Sequence, residues 1–141
     1  MDEILTRTIA LACPVEHAFG VFTEKIDLWW PRGHRRNRDA SLAFEGNALV
    51  ERAPDGGEWI MGAVTAMQRP HLLALDWFPG SPGAPTAVEV RFAADGDGTV
   101  ITVTHRAITL ETKSIWPQRV ARFADGWETV LPALRHFIEE T

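Results

Sequence analysis

A single cysteine, Cys13, leaves no partner for an intramolecular disulfide, so a fold stapled by covalent bridges is excluded. Long apolar runs are missing as well. No stretch of the chain approaches the roughly 18 apolar residues of a membrane-spanning helix, so no membrane span is expected. The opening residues MDEILTRTIA carry neither a basic nor an apolar leader region, and the expected location is the cytoplasm. Positive charge is in deficit: 14 Lys and Arg stand against 19 Asp and Glu, a net charge of −5, which argues against nucleic acid as a general partner. No P-loop, Gly-rich dinucleotide fingerprint or G-x-S-x-G elbow occurs. His17, His34, His71, His105 and His136 form no pair at metal-ligand spacing, so neither a metal nor a cofactor is expected.

What is present fits a packed domain. A chain of 141 residues that is 45% hydrophobic and 23% charged sits near the globular average. At that length folding hides roughly two-thirds of the surface of the unfolded chain. No internal repeat or long linker divides residues 1–141, which are read as one domain. The aromatic inventory is uneven, with six Trp, seven Phe and no Tyr. Rings of this size serve either a bulky core or an aromatic-lined cavity.

The periodicity gives the order of elements. Ile4 to Leu11 reads as a strand rich in β-branched residues, ended by Pro14. Val15, Ala18, Phe19 and Phe22 then recur at helical spacing, and a second helical turn runs from Lys25 to Trp29. The segment RGHRRNR, residues 32–38, is read as an exposed basic loop. A hairpin around Glu45-Gly46 follows, then a strand from Glu58 to Gln68, a turn at Arg69-Pro70 and a strand from Leu72 to Phe78. Beyond a Pro/Gly-rich loop from Pro79 to Pro85, Val88, Val90 and Phe92 alternate with polar residues, as do Ile101 and Val103 after the Asp95–Gly98 turn. From Val120 to Ile138 a stripe of Phe123, Trp127, Val130, Leu131 and Leu134 marks one face of a long helix. That stripe needs an apolar partner, and the inner face of the sheet is the large one on offer. The expected class is therefore α+β, a curved antiparallel sheet around a long C-terminal helix. Gly126 and Pro132 interrupt the helix pattern; they are read as close approach to the sheet and as a bend along its curvature.

This order resembles the helix-grip fold of the START and Bet v 1-like (SRPBCC) superfamily. Within it, Gly62 to Trp77 (GAVTAMQRPHLLALDW), Val88 to His105 (VEVRFAADGDGTVITVTH) and Gly126 to Leu134 (GWETVLPAL) resemble the family named for the activator of Hsp90 ATPase. Phe22 followed by Trp29-Trp30 fits the same family. The superfamily hosts ligand carriers, cyclases and co-chaperone domains, so the resemblance implies a fold and a choice among these functions.

The leading expectation is non-catalytic binding of an apolar small molecule between sheet and helix, with Trp30, Trp59, Trp77, His105, Phe123 and Trp127 as candidate wall residues. Strict alternation sets Trp59 opposite the face of Ile60, Gly62 and Val64. His105, counted in twos from Ile101 and Val103, projects to the core side. It is either a general acid or base or a structural histidine bonded to a backbone carbonyl or a helix side chain. The catalytic alternative is a cyclase- or hydrolase-like enzyme in which His105, with Asp76 or Glu58, steers protons. The third expectation is an interaction module, with a chaperone partner or a second copy docking on Arg32, Arg35, Arg36 and Arg38, which equally suit the anionic head of a ligand. The plain alternative for those arginines is a solvated loop.

Overall fold

The computed structural model describes residues 4–78 and 85–140. Most of the expected Pro79–Pro85 loop lies outside the described residues. The chain runs β1 (Ile4–Leu11), α1 (Val15–Glu24), α2 (Ile26–Trp29), a single 3-10 turn (Arg32–His34), β2 (Ser41–Glu45), β3 (Ala48–Arg52), β4 (Glu58–Gln68), β5 (Leu72–Trp77), β6 (Thr86–Asp95), β7 (Gly98–Ala107) and α3 (Leu110–Glu140). Among the described residues seven strands form one antiparallel sheet in the order β1-β7-β6-β5-β4-β3-β2. This is the helix-grip fold.

The hairpins explain the register. β2–β3 and β6–β7 are closed by two-residue loops, Gly46-Asn47 and Gly96-Asp97, whose glycines take φ of +59°. That left-handed conformation matches the twist of the flanking strands and suits glycine. Pairing Asp95 with Gly98 then places Val88 opposite His105, Val90 opposite Val103 and Phe92 opposite Ile101, all on the inner face. Directly opposed residues share a face. Gly98 and Thr99 tie this hairpin to the end of β1. A Cβ at Gly98 would lie 2.6 Å from the Leu11 carbonyl oxygen, and the Thr99 hydroxyl donates to the Cys13 carbonyl at 2.8 Å.

The apolar stripe of α3 joins the sheet in one core. Trp127, Val130, Leu131, Leu134 and Ile138 are buried together with Val88, Val90, Ile101 and Val103, while Arg119, Arg122, Asp125, Glu128 and Arg135 are exposed. Fully burying an aliphatic side chain such as Leu134 contributes roughly 1.5–3 kcal/mol. At the other end α1 closes the sheet, Phe19 and Phe22 packing on Phe92 with ring centroids 5.0 and 5.7 Å apart.

The helix begins already at Leu110, well before the stripe that announced it. Thr109 and Thr112 form a reciprocal cap. The Thr109 hydroxyl accepts from the Thr112 N–H at 3.0 Å, and the Thr112 hydroxyl accepts from the N–H groups of Ile108 and Thr109. Three backbone donors are thereby satisfied at the helix start. Pro117 and Pro132 both lie inside the helix.

Gly62 is fixed by close approach. A Cβ there would stand 2.7 Å from the Asp76 carbonyl oxygen and 2.7 Å from Leu75 Cδ1. The first contact is backbone within a paired strand and cannot swing aside. Gly62→Ala should therefore lower unfolding free energy by about 2 kcal/mol, read by urea denaturation. An unchanged midpoint would show that β4 and β5 separate without cost.

Candidate functional site

Trp30 leaves the end of α2, Trp77 ends β5, and Trp127 sits on the inner stripe of α3. Their rings meet pairwise, with centroids 5.9, 6.1 and 6.4 Å apart. This cluster fills the middle of the space between sheet and helix. Behind it remains a void of about 10 Å³ bounded by Phe22, Leu49, Val88 and Val90, at most the size of one water molecule and without polar partners for it. In front of it is a cavity of about 210 Å³, walled by the three tryptophans with Met61, His105, Phe123 and Val130. Its outer lining is His34, Arg122 and Gly126. Both His34 and Arg122 are exposed, which marks this side as the mouth. A wider depression of about 510 Å³ beside Cys13, Pro14 and Gly96 is bounded by small side chains and brings no aromatic or charged cluster together beyond Asp97.

His105 is fully buried in the wall, with the Phe123 ring against it, tilted by 40° at 4.2 Å between centroids. Trp127 Nε1–H donates to His105 Nδ1 at 3.1 Å. An indole nitrogen only donates, so Nδ1 carries no proton and the imidazole is the Nε2–H tautomer. Nε2–H then donates to the Thr86 hydroxyl at 2.7 Å, which in turn donates to the Trp77 carbonyl at 3.2 Å. Burial pushes the His105 pKa down to about 3. The ring is neutral at physiological pH with both nitrogens engaged, so it has neither a free lone pair nor a labile proton to offer. Asp76, proposed to assist it, pairs with Ala63 and Ala87 on the opposite face, and Glu58 is exposed and bonded to Arg52 at 3.2 Å. The three groups of the catalytic alternative are not brought together.

Two expected positions need correction. Trp59 lines no part of the cavity; it is 40% exposed, with the Arg36 guanidinium 3.3 Å above its ring. Its parity also differs from simple alternation. The register shifts between Leu49 and Val50, leaving Met61 as the extra residue of β4, so Trp59, opposite Glu51, shares a face with Gly62. The same bulge delivers Met61 to the cavity wall, a residue that alternation alone did not single out.

The second correction is Arg35. Its side chain is 1% exposed, not part of a solvent-facing loop. The guanidinium donates to Asp27 Oδ1 at 2.7 Å and to the carbonyls of Ala40, Asp27 and Trp30 at 2.6–2.8 Å. Arg32 is turned onto the loop itself, bonding the Arg38 carbonyl at 2.7 Å, and the buried Glu51 carboxylate accepts from the N–H groups of Arg36 and Asn37. The basic loop is thus an anchored structure that presents Arg36 and Arg38 outward. Asp27 is subject to burial, which raises its pKa. The Leu42 N–H bond, the hydrogen bond and charge of Arg35 and the charge of Arg32 outweigh that effect and hold the carboxyl below its ordinary range.

Gly126 is the third departure. A Cβ there would meet only His34 Cε1, at 3.9 Å, so the glycine opens the mouth and no close helix-to-sheet contact demands it. Gly126→Ala should raise stability by about 1 kcal/mol, since helical glycine is unfavourable by that amount relative to alanine. A loss of stability on denaturation would restore the tight-packing explanation.

The fold and its aromatic-walled cavity define a START/Bet v 1-like protein of the helix-grip type. The chain belongs to the family of activator of Hsp90 ATPase homolog 1-like proteins, whose model matches residues 12–139. It is similar in fold to PFC0360w, an HSP90 activator from Plasmodium falciparum, with a TM-score of 0.71, 18% identity, and coverage of 98% of this chain and 97% of that one. DynU16, from the dynemicin biosynthetic locus, matches with a TM-score of 0.74 at 16% identity over 99% of this chain. The chain spans about half of DynU16, 48% of its length. The anthrahydroquino-gamma-pyrone synthase Txn09, in complex with a ligand designated SUM, is 30% identical over 75% of this chain and 79% of its own, with a TM-score of 0.56. No curated protein matches the sequence. Among the described residues no helix is long and apolar enough to cross a membrane, and no cluster of His, Cys, Asp and Glu is placed to hold a metal ion.

Proposed function

We propose that this chain binds a small, mainly apolar molecule in the cavity in front of the Trp30–Trp77–Trp127 cluster, without a catalytic step of its own. The observation that carries the proposal is a cavity of about 210 Å³ whose inner wall is aromatic and aliphatic and whose outer side opens at Gly126. A cavity of about 150 Å³ lined by apolar side chains holds benzene, while drug-sized ligands need about 300 Å³ or more. The space therefore suits a body of one or two rings.

His105 supports the non-catalytic reading. A base with a pKa of about 3 and both nitrogens already bonded is poorly matched to proton transfer near neutrality. Similarity to Txn09 is the specific argument for the enzymatic alternative. A chaperone partner rests on the family and on the fold shared with PFC0360w, and it would use outer surfaces such as Arg36 and Arg38 rather than the cavity.

The test is a thermal-shift and native mass-spectrometry screen of neutral one- and two-ring aromatics against the wild type and Gly126→Leu, whose side chain enters the mouth. A ligand at about 100 times its Kd contributes about 2.7 kcal/mol, a rise of several degrees in melting temperature for a chain of this size. The rise should vanish in Gly126→Leu. Binding by neither protein, or equally by both, would remove the cavity from consideration. Turnover of a bound probe, seen as a product mass, would move the assignment to the enzyme class.

A further inference from the structure

We infer that the cavity selects an aromatic acid, its ring seated against the tryptophans and its carboxylate held at the mouth by Arg122. This deepens the binding reading above and rests on it. Among the described residues Arg122 is the charged residue of the cavity lining, and no carboxylate lines the cavity with it. It is exposed, on α3, four residues before Gly126 and therefore next to the opening on the same helix face.

Arg7, Arg35, Arg52, Arg69 and Arg91 each have a carboxylate within 4.0 Å. Arg122 forms no ion pair or hydrogen bond among the described residues, although carboxylates outnumber cations in the chain as a whole. Among the described residues Arg32, Arg36, Arg38, Arg106, Arg119 and Arg135 also lack an ion pair, so what sets Arg122 apart is the combination of a free guanidinium with a place in the cavity lining. Its near neighbours do not quench it. Glu128 is engaged by Arg7 at 3.0 Å, and no ion pair joins Arg122 to Asp125. A guanidinium left free beside an apolar cavity is a receptor for a planar oxyanion, since its fork donates two parallel hydrogen bonds to a carboxylate.

The interior sets the rest of the ligand. His105, the polar side chain deep in the wall, has both nitrogens committed to Thr86 and Trp127, so a hydroxyl or carbonyl pushed against it finds no partner. An unpaired polar group there is penalised, and an ionised one far more so. The favoured molecule is apolar at one end and anionic at the other, and the absence of a side chain at Gly126 lets the anionic end pass between His34 and Arg122.

Calorimetric titration at low ionic strength with naphthalene carboxylic acid and its primary amide tests this, because the two probes share a ring system and differ in head-group charge. The wild type should bind the acid about tenfold or more tighter than the amide. Arg122→Gln should remove most of that advantage by weakening the acid far more than the amide, Arg122→Glu should favour the amide, and Gly126→Leu should exclude both. Arg122 is exposed, so these variants keep the core intact, which melting curves verify. If wild type binds acid and amide equally, or Arg122→Gln weakens both equally, the acid preference is overturned while cavity binding stands. If neither probe binds the wild type, both readings fall.

Discussion

Arg35→Ala should lower the unfolding free energy by about 3 kcal/mol, and the melting temperature by roughly 10 °C, a larger effect than that of Gly62→Ala or Gly126→Ala. The guanidinium holds four acceptors at 2.6–2.8 Å: one Asp27 carboxylate oxygen and the carbonyls of Asp27, Trp30 and Ala40. Truncation leaves all of them short of a donor. Breaking a buried pair costs about 3–5 kcal/mol, and the low end applies because the Asp27 side chain is 39% exposed and Arg35 Nε has no partner of its own. Arg35→Lys should recover part of the loss, because one ammonium supplies charge but cannot span four acceptors in a plane. Asp27→Asn should cost less than Arg35→Ala, since the Leu42 N–H can still bond the amide oxygen.

The effect reaches the cavity. Arg35 bonds the carbonyl of Trp30, and Trp30 Nε1 in turn donates to the carbonyl of His34 at 3.4 Å. One wall residue and one mouth residue are therefore positioned from beneath by this guanidinium. Urea denaturation followed by tryptophan fluorescence measures the stability, and a loss under about 1 kcal/mol would show that the loop is anchored elsewhere. Asp27 adds an acid signature. Its carboxyl is held below its ordinary range in the folded chain, so its contribution is complete above the unfolded value near 3.9 and is lost as pH falls through the lower folded value.

The fold was legible because its signals are periodic. Alternation in Val88–Phe92 and Ile101–Val103, turns at Gly46 and Gly96, and the stripe from Val120 to Ile138 each state which side chains face inward. Local rules reached Trp30, Trp77, Phe123, Trp127 and His105, which the structure brings to one wall. They failed where geometry is not periodic. The bulge at Met61 changes the parity of β4, and alternation cannot count a residue that has no partner. Arg35 reads as one more charge in RGHRRNR because nothing local tells that Asp27, eight residues earlier, lies beneath it. Gly126 reads as close approach to the sheet, and what overturns that is only visible in space, where His34 Cε1 at 3.9 Å is all that a Cβ would meet. The early start of α3 rested on a Thr-x-x-Thr cap, a weaker form of the Ser/Thr-x-x-Glu pattern, followed within the helix by Pro117.

Acidification from pH 7 to pH 4 should remove roughly 3 kcal/mol of stability through His105 alone. Its folded pKa of about 3 lies below the unfolded value near 6.5, so between those limits the unfolded chain binds one more proton than the folded chain. Stability is then complete above about pH 6.5 and falls as pH drops, by up to about 1.4 kcal/mol per unit, until the folded ring itself protonates near pH 3. Geometry gives the same direction as burial. An imidazolium would set Nδ1–H against Trp127 Nε1–H, two donors across a 3.1 Å contact inside the core. His105→Gln should be less stable than wild type at pH 7, yet its stability should decline less by pH 4, the difference between the two slopes being the histidine's share. Proton NMR of the wild type gives an independent reading, since the His105 ring signal should stay fixed from pH 7 to about pH 4. Titration near pH 6.5 would place the ring in contact with water and overturn the network. Protonation in the folded state also ends the bond that aims the Trp127 indole, so the cavity wall and the fold should fail over the same acid range.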